Sequence, residues 1–321
     1  MFRAGDRVKR WSILLPTMAL PRSARVALRE RGLRRLELER ARRAALLIIG
    51  HPKSGNTWLR TMLSRLYQVR HGLPSDFVVK TDELHRREPT IPPLLATNAY
   101  YSYEGIVGDR LAAGAPPSEL HDKPVVLLAR DPRDVAVSWF FQFTKRQSAY
   151  KRELINHFIA HPIDPTRISI WDFVRHSDIG LPFLIRYLNT WEANVSGLPR
   201  ALTVRYEDLR ADTPRWLRRI TDLMGAGFDE REIREAVDFT SFDNLRKLET
   251  AGHFRMGGLT LRNAADPETF KTRRGKVGGY RDYFSPQELA ELDRLVEEGL
   301  SPRFGYGRPS APSMRASQPV V

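Results

Sequence analysis

The chain is expected to fold as an α/β domain around a parallel sheet, and three observations carry that expectation. Residues 45–49, ALLII, form an unbroken apolar run rich in branched side chains and closed by Gly50, the pattern of a strand buried on both faces. Trp58, Leu59, Met62, Leu63, Leu66 and Tyr67 recur at the spacing of a single apolar helical face. A clear second strand is predicted at residues 125–129, VVLLA. The 321 residues suffice for one large α/β domain or two small ones, and no internal repeat or linker divides them.

Between the first strand and its helix lies His51-Pro52-Lys53-Ser54-Gly55-Asn56-Thr57. Strand, small-residue loop and helix together make a phosphate cradle. Backbone N–H groups at a helix start converge on one spot, the helix dipole favours an anion there, and Gly55 lets the backbone approach closely. Lys53 adds a mobile cation, while Ser54, Asn56 and Thr57 add short donors. The alternative is a plain βα turn with an incidental lysine. The nucleoside triphosphate pattern GxxxxGK[ST] is not matched, because Lys53 precedes the second glycine, Gly55. The cradle therefore fits an anion other than ATP with magnesium.

Charge is distributed unevenly. Residues 1–44 hold 13 Lys and Arg against 4 Asp and Glu, a net +9 of the chain's +14. Such an extension could touch an anionic membrane or nucleic acid, or be a solvated, partly helical arm; no nucleic-acid partner is expected. The apolar stretch 13–20 is interrupted by Pro16 and too short to span a bilayer, and no later run is longer. A soluble protein is expected. The chain has no cysteine, which excludes disulfides, a thiol nucleophile and a cysteine metal site, and fits the cytoplasm.

Past the first helix, residues 74–93 are polar and proline-bearing, with a short helix expected at 82–87. Residues 99–107, AYYSYEGIV, are aromatic and β-branched enough for a strand. The strand at 125–129 runs into Arg130-Asp131-Pro132-Arg133-Asp134-Val135-Ala136-Val137-Ser138-Trp139, at the carboxyl end where open α/β sheets bind ligands. Arg130 offers a fork of donors suited to a phosphate, and Ser138 offers a hydroxyl about two helical turns on. Two separated anion sites point to a ligand with two phosphate groups.

These stretches resemble a known family. HPKSGNTWL at residues 51–59 resembles the 5′-phosphosulfate loop of the sulfotransferases, and ARDPRDVAVSWF at 129–140 resembles their 3′-phosphate motif. Arg205-Tyr206-Glu207-Asp208-Leu209 resembles the family's YEDL segment, and Phe239-Thr240-Ser241-Phe242 with Leu245 its TSF segment. Arg273-Arg274-Gly275-Lys276-Val277-Gly278-Gly279-Tyr280-Arg281 resembles the RKGxxGDWK segment. The resemblance implies a P-loop-like, three-layer α/β fold with a central parallel sheet flanked by helices, PAPS as donor with PAP as product, and no metal. It implies that Lys53, Ser54, Gly55, Asn56, Thr57 and Trp58 surround the 5′-phosphosulfate. Arg130, Ser138, Arg273, Arg274 and Gly275 would hold the 3′-phosphate, with Trp58, Tyr206, Thr240 and Leu245 around the adenine.

Sulfuryl transfer needs little beyond positioning and charge stabilisation, in the manner of phosphoryl transfer. Lys53 is expected to follow the bridging oxygen, with Ser138 beside it, and a base must take the acceptor proton. The family's histidine in a KTH segment has only Lys80-Thr81-Asp82 as a literal counterpart, placed early in the chain. In some bacterial relatives the strand corresponding to 99–107 resembles a serine-histidine-acid-glycine run, and here Ser102-Tyr103-Glu104-Gly105 puts tyrosine at the histidine position. Glu104 is therefore the expected base, with His85, His121, Asp82 and Asp109 as alternatives.

Trp139, Phe140, Phe141 and Phe143 either line an acceptor pocket or bury a helix against the sheet. Lys145, Arg146, Lys151 and Arg152 either guide an anionic glycan or form a solvated helix face. Trp216 is expected in the core, on a helix that follows Asp212 and Pro214, and residues 252–270 as a mobile closing loop. The expected layout is a basic extension at 1–44, a sulfotransferase domain at 45–308 and a disordered tail at 309–321. The acceptor would carry a hydroxyl, with a carbohydrate slightly ahead of a lipid or small natural product. A catalytically inactive PAPS- or PAP-binding protein and a P-loop kinase are the alternatives.

Overall fold

The computed structural model describes residues 6–76, 83–98, 118–254, 259 and 276–307. Four strands, β1 (Leu46–Ile49), β2 (Leu94–Thr97), β3 (Val125–Ala129) and β4 (Ala201–Arg205), form a parallel sheet in the order β2-β1-β3-β4. Leu47 stands opposite Leu95 on one side and Val125 on the other, and Leu127 stands opposite Thr203. Parallel neighbours need crossovers, and these are helical.

Strand alternation sorts the core into two layers. Leu46, Ile48, Val126, Leu128 and Val204 face α3 (Asn56–Arg70), α10 (Thr213–Met224) and α11 (Glu230–Phe239). Leu47, Ile49, Val125, Leu127 and Ala129 face α5 (Pro132–Phe141), α8 (Leu181–Ser196) and α13 (Pro286–Gly299). Between two neighbouring strands and with helices on both faces, β1 has no wet side, so it reads as continuously apolar and all four of its residues are buried. Each buried Leu or Ile contributes about 1.5–3 kcal/mol. The α/β fold with a central parallel sheet between helical layers is thus as expected.

The expected short helix near 82–87 is α4 (Glu83–Arg87). The strand expected at 99–107 lies outside the described residues, as does the tail from 308 on. Strands β2 and β4 had no sequence expectation. Trp216 is a correction: it is only partly buried, at the margin of one core layer, with Arg219 stacked 4.4 Å over its ring. The hydrophobic anchor of α10 is instead Leu217 and Ile220.

Past α5 comes a π-helical turn over Gln142–Arg146, then α6 (Ala149–Phe158) and α7 (Ile170–Arg175). Trp139 and Phe143 are buried there with Ile155, Ile159, Ile163, Phe173 and Ile179 as a separate small core, which favours packing over a pocket for this aromatic group. The basic run is not a uniform solvated face either. Lys145 is exposed, Arg146 is buried, and Arg152 donates to the Gln147 carbonyl at 2.9 Å. Ahead of the sheet, α1 (Asp6–Leu14) and α2 (Arg22–Arg43) form a hairpin that rests on α6 through Arg25 and Arg29, both paired with Glu153.

Candidate active site

The loop after β1 is shaped by two backbone conformations in the left-handed region. Gly55, immediately before α3, has φ 105°, and Lys53 has φ 82°, the sole positive φ of a residue other than glycine among the described residues. A Cβ at Gly55 would lie 2.8 Å from Tyr206 Cδ2, so only glycine lets the loop pass under that ring. The Lys53 conformation costs an L residue roughly 1–2 kcal/mol, a strain found mainly where function holds it in place.

Local hydrogen bonds fix the loop. Asn56 Nδ2 donates to the Gly50 carbonyl at 2.7 Å, folding the helix start back onto the strand end. The Ser54 N–H donates to the His51 carbonyl at 3.1 Å, and Ser54 is buried. Helix α3 has no acidic side chain in its first turn, so its N-terminal N–H groups and dipole meet no opposing carboxylate on their own helix. Thr57 lies in that first turn, where its carbonyl accepts from Thr61 Oγ1 at 2.7 Å.

Arg130, at the end of β3, is where the motifs meet. Its Nη1 donates to the Lys53 carbonyl at 3.2 Å, and its Nη2 to Asp134 Oδ2 at 3.3 Å and to the Lys276 carbonyl at 3.2 Å. Its guanidinium lies 4.4 Å from the centre of the Tyr206 ring. Four stretches far apart in sequence therefore converge on one side chain. Its Nε is buried and has no hydrogen-bond partner among the described residues.

Asp134 builds the next layer. Its Oδ2 accepts from the Gly278 N–H at 2.9 Å and its Oδ1 from the Tyr280 N–H at 3.0 Å. The carboxylate thus clamps 278–280 to the start of α5 while holding Arg130. That start is itself set by Asp131, whose side chain accepts from the Arg133 N–H at 3.0 Å, with Pro132 in the first turn. Ser138 is half-buried, two turns along the same helix. Arg273, Arg274 and Gly275 lie outside the described residues, while Lys276, next to them in sequence, accepts from Arg130 through its carbonyl.

A second cluster lies beside the cradle. Trp58 Nε1 donates to the Thr240 carbonyl at 2.8 Å, and its ring meets Tyr206 edge-on at 5.7 Å. Trp58 also packs on Leu245, Phe254 and Leu259. All four residues expected around an adenine, Trp58, Tyr206, Thr240 and Leu245, are thereby brought together. Glu207, next to Tyr206, accepts from the Asp131 N–H at 3.1 Å and from Tyr306 Oη at 2.6 Å. Burial pushes its carboxyl above the usual range, although those two donors and Arg130 pull the other way.

The expected base is not brought into view: Glu104, Asp82 and Asp109 lie outside the described residues. His85 does a structural task, its Nδ1 paired with the Ile91 carbonyl at 2.8 Å across the turn from α4 to β2, and His121 is exposed in a turn. Sequence reasoning passed over His51. This imidazole is 1% exposed and is ringed by Trp139, Phe183 and Tyr187, with centroids 5.6, 6.1 and 5.4 Å away. Tyr187 Oη donates to the Asn98 carbonyl at 3.2 Å, just past β2. The available signal was the position of His51 inside the loop motif. Asp134 was missed too, although it stands within the quoted 129–140 motif.

Comparisons with known proteins agree with this geometry. A family model described as the sulfotransferase domain matches residues 43–303. Cytosolic sulfotransferase 12 of Arabidopsis thaliana is 29% identical over 275 residues, covering 80% of this chain and 78% of that protein. Cytosolic sulfotransferase 13 of the same plant is 26% identical, covering 81% and 78%. Among solved structures, mouse sulfotransferase SULT7A1 complexed with PAP gives a TM-score of 0.52 at 19% identity, over 83% of this chain and 87% of that one. Retinol dehydratase in a complex with retinol and PAP gives 0.53 at 16% identity, over 83% and 86%. At such identities the structural likeness speaks for the fold.

Proposed function

This chain belongs to the sulfotransferase family, and from that premise we propose that it moves a sulfuryl group from PAPS to an acceptor hydroxyl in the cytoplasm. The observation that carries the reading is the convergence on Arg130: the cradle, the start of α5, the Tyr206 ring and the Lys276 segment all touch this side chain. Its buried Nε–H, unpartnered among the described residues, is a donor that a 3′-phosphate oxygen would satisfy. Ser138 supplies a hydroxyl further along α5, and Arg273, Arg274 and Gly275 complete the same phosphate site.

The 5′-phosphosulfate is assigned to Lys53, Ser54, Gly55, Asn56, Thr57 and Trp58 at the start of α3. There the backbone N–H groups face the anion and no first-turn carboxylate opposes it. PAPS, when bound, supplies the activated sulfuryl group. Lys53 neutralises charge that develops on the bridging oxygen, and Ser138 is assigned with it to the catalytic set. Glu104 is assigned as the base for the acceptor proton. Trp58, Tyr206, Thr240 and Leu245 enclose the adenine.

Among acceptors, a carbohydrate hydroxyl is placed ahead of a lipid or small natural product, on the strength of the exposed Lys145 beyond α5. The deciding experiment is calorimetric titration of the purified protein with PAP beside ADP and ATP with magnesium. Tight binding of PAP alone is expected, followed by turnover with labelled PAPS across an acceptor panel. Preference for ATP with magnesium would overturn the reading in favour of a kinase. PAP binding without turnover on any acceptor would leave an inactive donor-binding protein.

A further inference from the structure

The hairpin of α1 and α2 carries most of the exposed large apolar side chains. Val8, Trp11, Leu15, Met18 and Leu28 are five of the seven among the described residues, the others being Phe242 and Val277. Val8, Trp11, Leu15 and Met18 follow one another at intervals of three or four, a single stripe, and are 54–63% exposed. The helical path continues past α1, since the Leu15 N–H still bonds the Trp11 carbonyl at 2.9 Å.

This stripe is not the inner face of a badly seated helix, because the inner face is accounted for. Leu14 and Thr17 are buried, and Ile13 sits so close to Gly32 that a Cβ there would lie 2.9 Å from Ile13 Cγ2. Arg29 Nε donates to Thr17 Oγ1 at 2.8 Å, and Thr17 Oγ1 donates to the Leu14 carbonyl at 2.8 Å. Arg25 and Arg29 then pin the hairpin to Glu153 of α6. The apolar stripe is presented outward by a fixed scaffold.

The second helix of the hairpin is strongly basic, although Glu39 pairs with Arg35 at 3.5 Å. Arg22, Arg31, Arg34, Arg35 and Arg42 are exposed on α2. Leu28, Arg31, Arg35 and Arg42 share one face by their spacing, and residues 1–44 carry a net +9. No helix among the described residues is long and apolar enough to cross a membrane. Apolar side chains that reach the acyl boundary, beside guanidinium groups that meet lipid phosphates, are the pairing an anionic bilayer surface accepts.

We propose that the α1–α2 hairpin docks this enzyme on an anionic lipid surface, with Trp11, Leu15 and Met18 entering the interface and Arg31 and Arg35 meeting the headgroups. The full chain is sedimented with vesicles of phosphatidylcholine, alone or containing phosphatidylglycerol. Binding is expected only with phosphatidylglycerol, and it falls as salt is raised. Each neutralised arginine is expected to weaken binding about fivefold, so the pair Arg31→Gln and Arg35→Gln loses about 25-fold. Met18→Glu, and separately the pair Trp11→Asp and Leu15→Asp, should abolish it, with PAP affinity unchanged as proof of an intact fold. Met18→Glu lies outside α1 and guards against a double variant that fails to fold. Three results would overturn the proposal: no vesicle binding at low salt, full binding by the acidic variants, or a wild-type dimer that these variants convert to monomer.

Discussion

Replacing Asp134 tests whether the residues assigned to phosphate binding are held by the side chains that surround them. Its carboxylate is 3% exposed and accepts from the Gly278 N–H, the Tyr280 N–H and Arg130 Nη2 at 2.9, 3.0 and 3.3 Å. In Asp134→Ala three donors lose that acceptor, and each buried donor left unsatisfied costs about 1–3 kcal/mol. The segment 276–280 can turn partly toward water, so the lower end of each range applies, and roughly 3 kcal/mol of stability should go. For a chain of 321 residues that is a drop in Tm of about 6 °C, at the lower end of about 2–4 °C per kcal/mol.

PAP binding should suffer separately. An Arg130 fork no longer fixed by Asp134 loses the equivalent of one charge-assisted hydrogen bond to the ligand, about 1.5–3 kcal/mol, or about 10- to 150-fold in Kd. Asp134→Asn retains one acceptor oxygen and should fall between wild type and alanine in both respects. Calorimetric titration with PAP beside a thermal melt reads the two effects independently. If Asp134→Ala melts early but binds PAP within about twofold of wild type, the clamp supports the fold alone and the positioning argument fails.

Further outcomes can be checked in the same preparations. Lys53→Ala should lower kcat by about 10²- to 10³-fold with PAP affinity nearly intact; an unchanged rate removes the lysine from the mechanism. Arg130→Ala should weaken PAP far more than an analogue lacking the 3′-phosphate, and equal losses would break that assignment. Glu104→Gln should cost at least about 10²-fold in kcat without altering PAP binding. A normal rate in that variant beside a dead His51→Gln would move the role to the imidazole. Glu37 on α2 is half-buried, and desolvation raises its pKa despite a hydrogen bond from Thr97 Oγ1 at 2.5 Å and the charges of Arg40 and Arg10. A raised carboxyl favours the fold below the unfolded pKa of about 4.3 and loses that contribution as pH rises through its folded pKa. Wild type should therefore gain more Tm than Glu37→Gln when pH is lowered from neutral toward that value, and parallel Tm curves would contradict the assignment.

What the sequence disclosed depends on how local its cause is. Strand β1 and helix α3 were legible because both faces of the strand and one face of the helix are apolar, and periodicity reports that directly. Strands β2 and β4 are no shorter than β1 and β3 respectively, but Ala96 of β2 is only partly buried and β4 exposes Thr203 and buries only Val204, so neither shows a continuously buried apolar run. Trp216 misled because its size implies core, whereas Arg219 can cover an aromatic ring at a margin. The donor-site assignment rests on motif order, which carries no sign of the part played by Asp134. Its three partners are Arg130, four residues away, and two backbone N–H groups about 145 residues on, and no local pattern announces a contact of that kind.

The left-handed backbone at Lys53 links the two proposed phosphate sites. A lysine at φ 82° is strained on its own, and the carbonyl of that same residue accepts from Arg130 Nη1. The arginine assigned to the 3′-phosphate thus also supports the loop assigned to the 5′-phosphosulfate. Arg130 is held in turn by Asp134, which binds the 278–280 backbone. Donor recognition and placement of the Lys53 amine are therefore coupled through one guanidinium. A substitution at Arg130 should lower kcat as well as affinity, whereas one at Lys53, whose amine is assigned to the charge developing on the bridging oxygen, should lower kcat with affinity nearly intact.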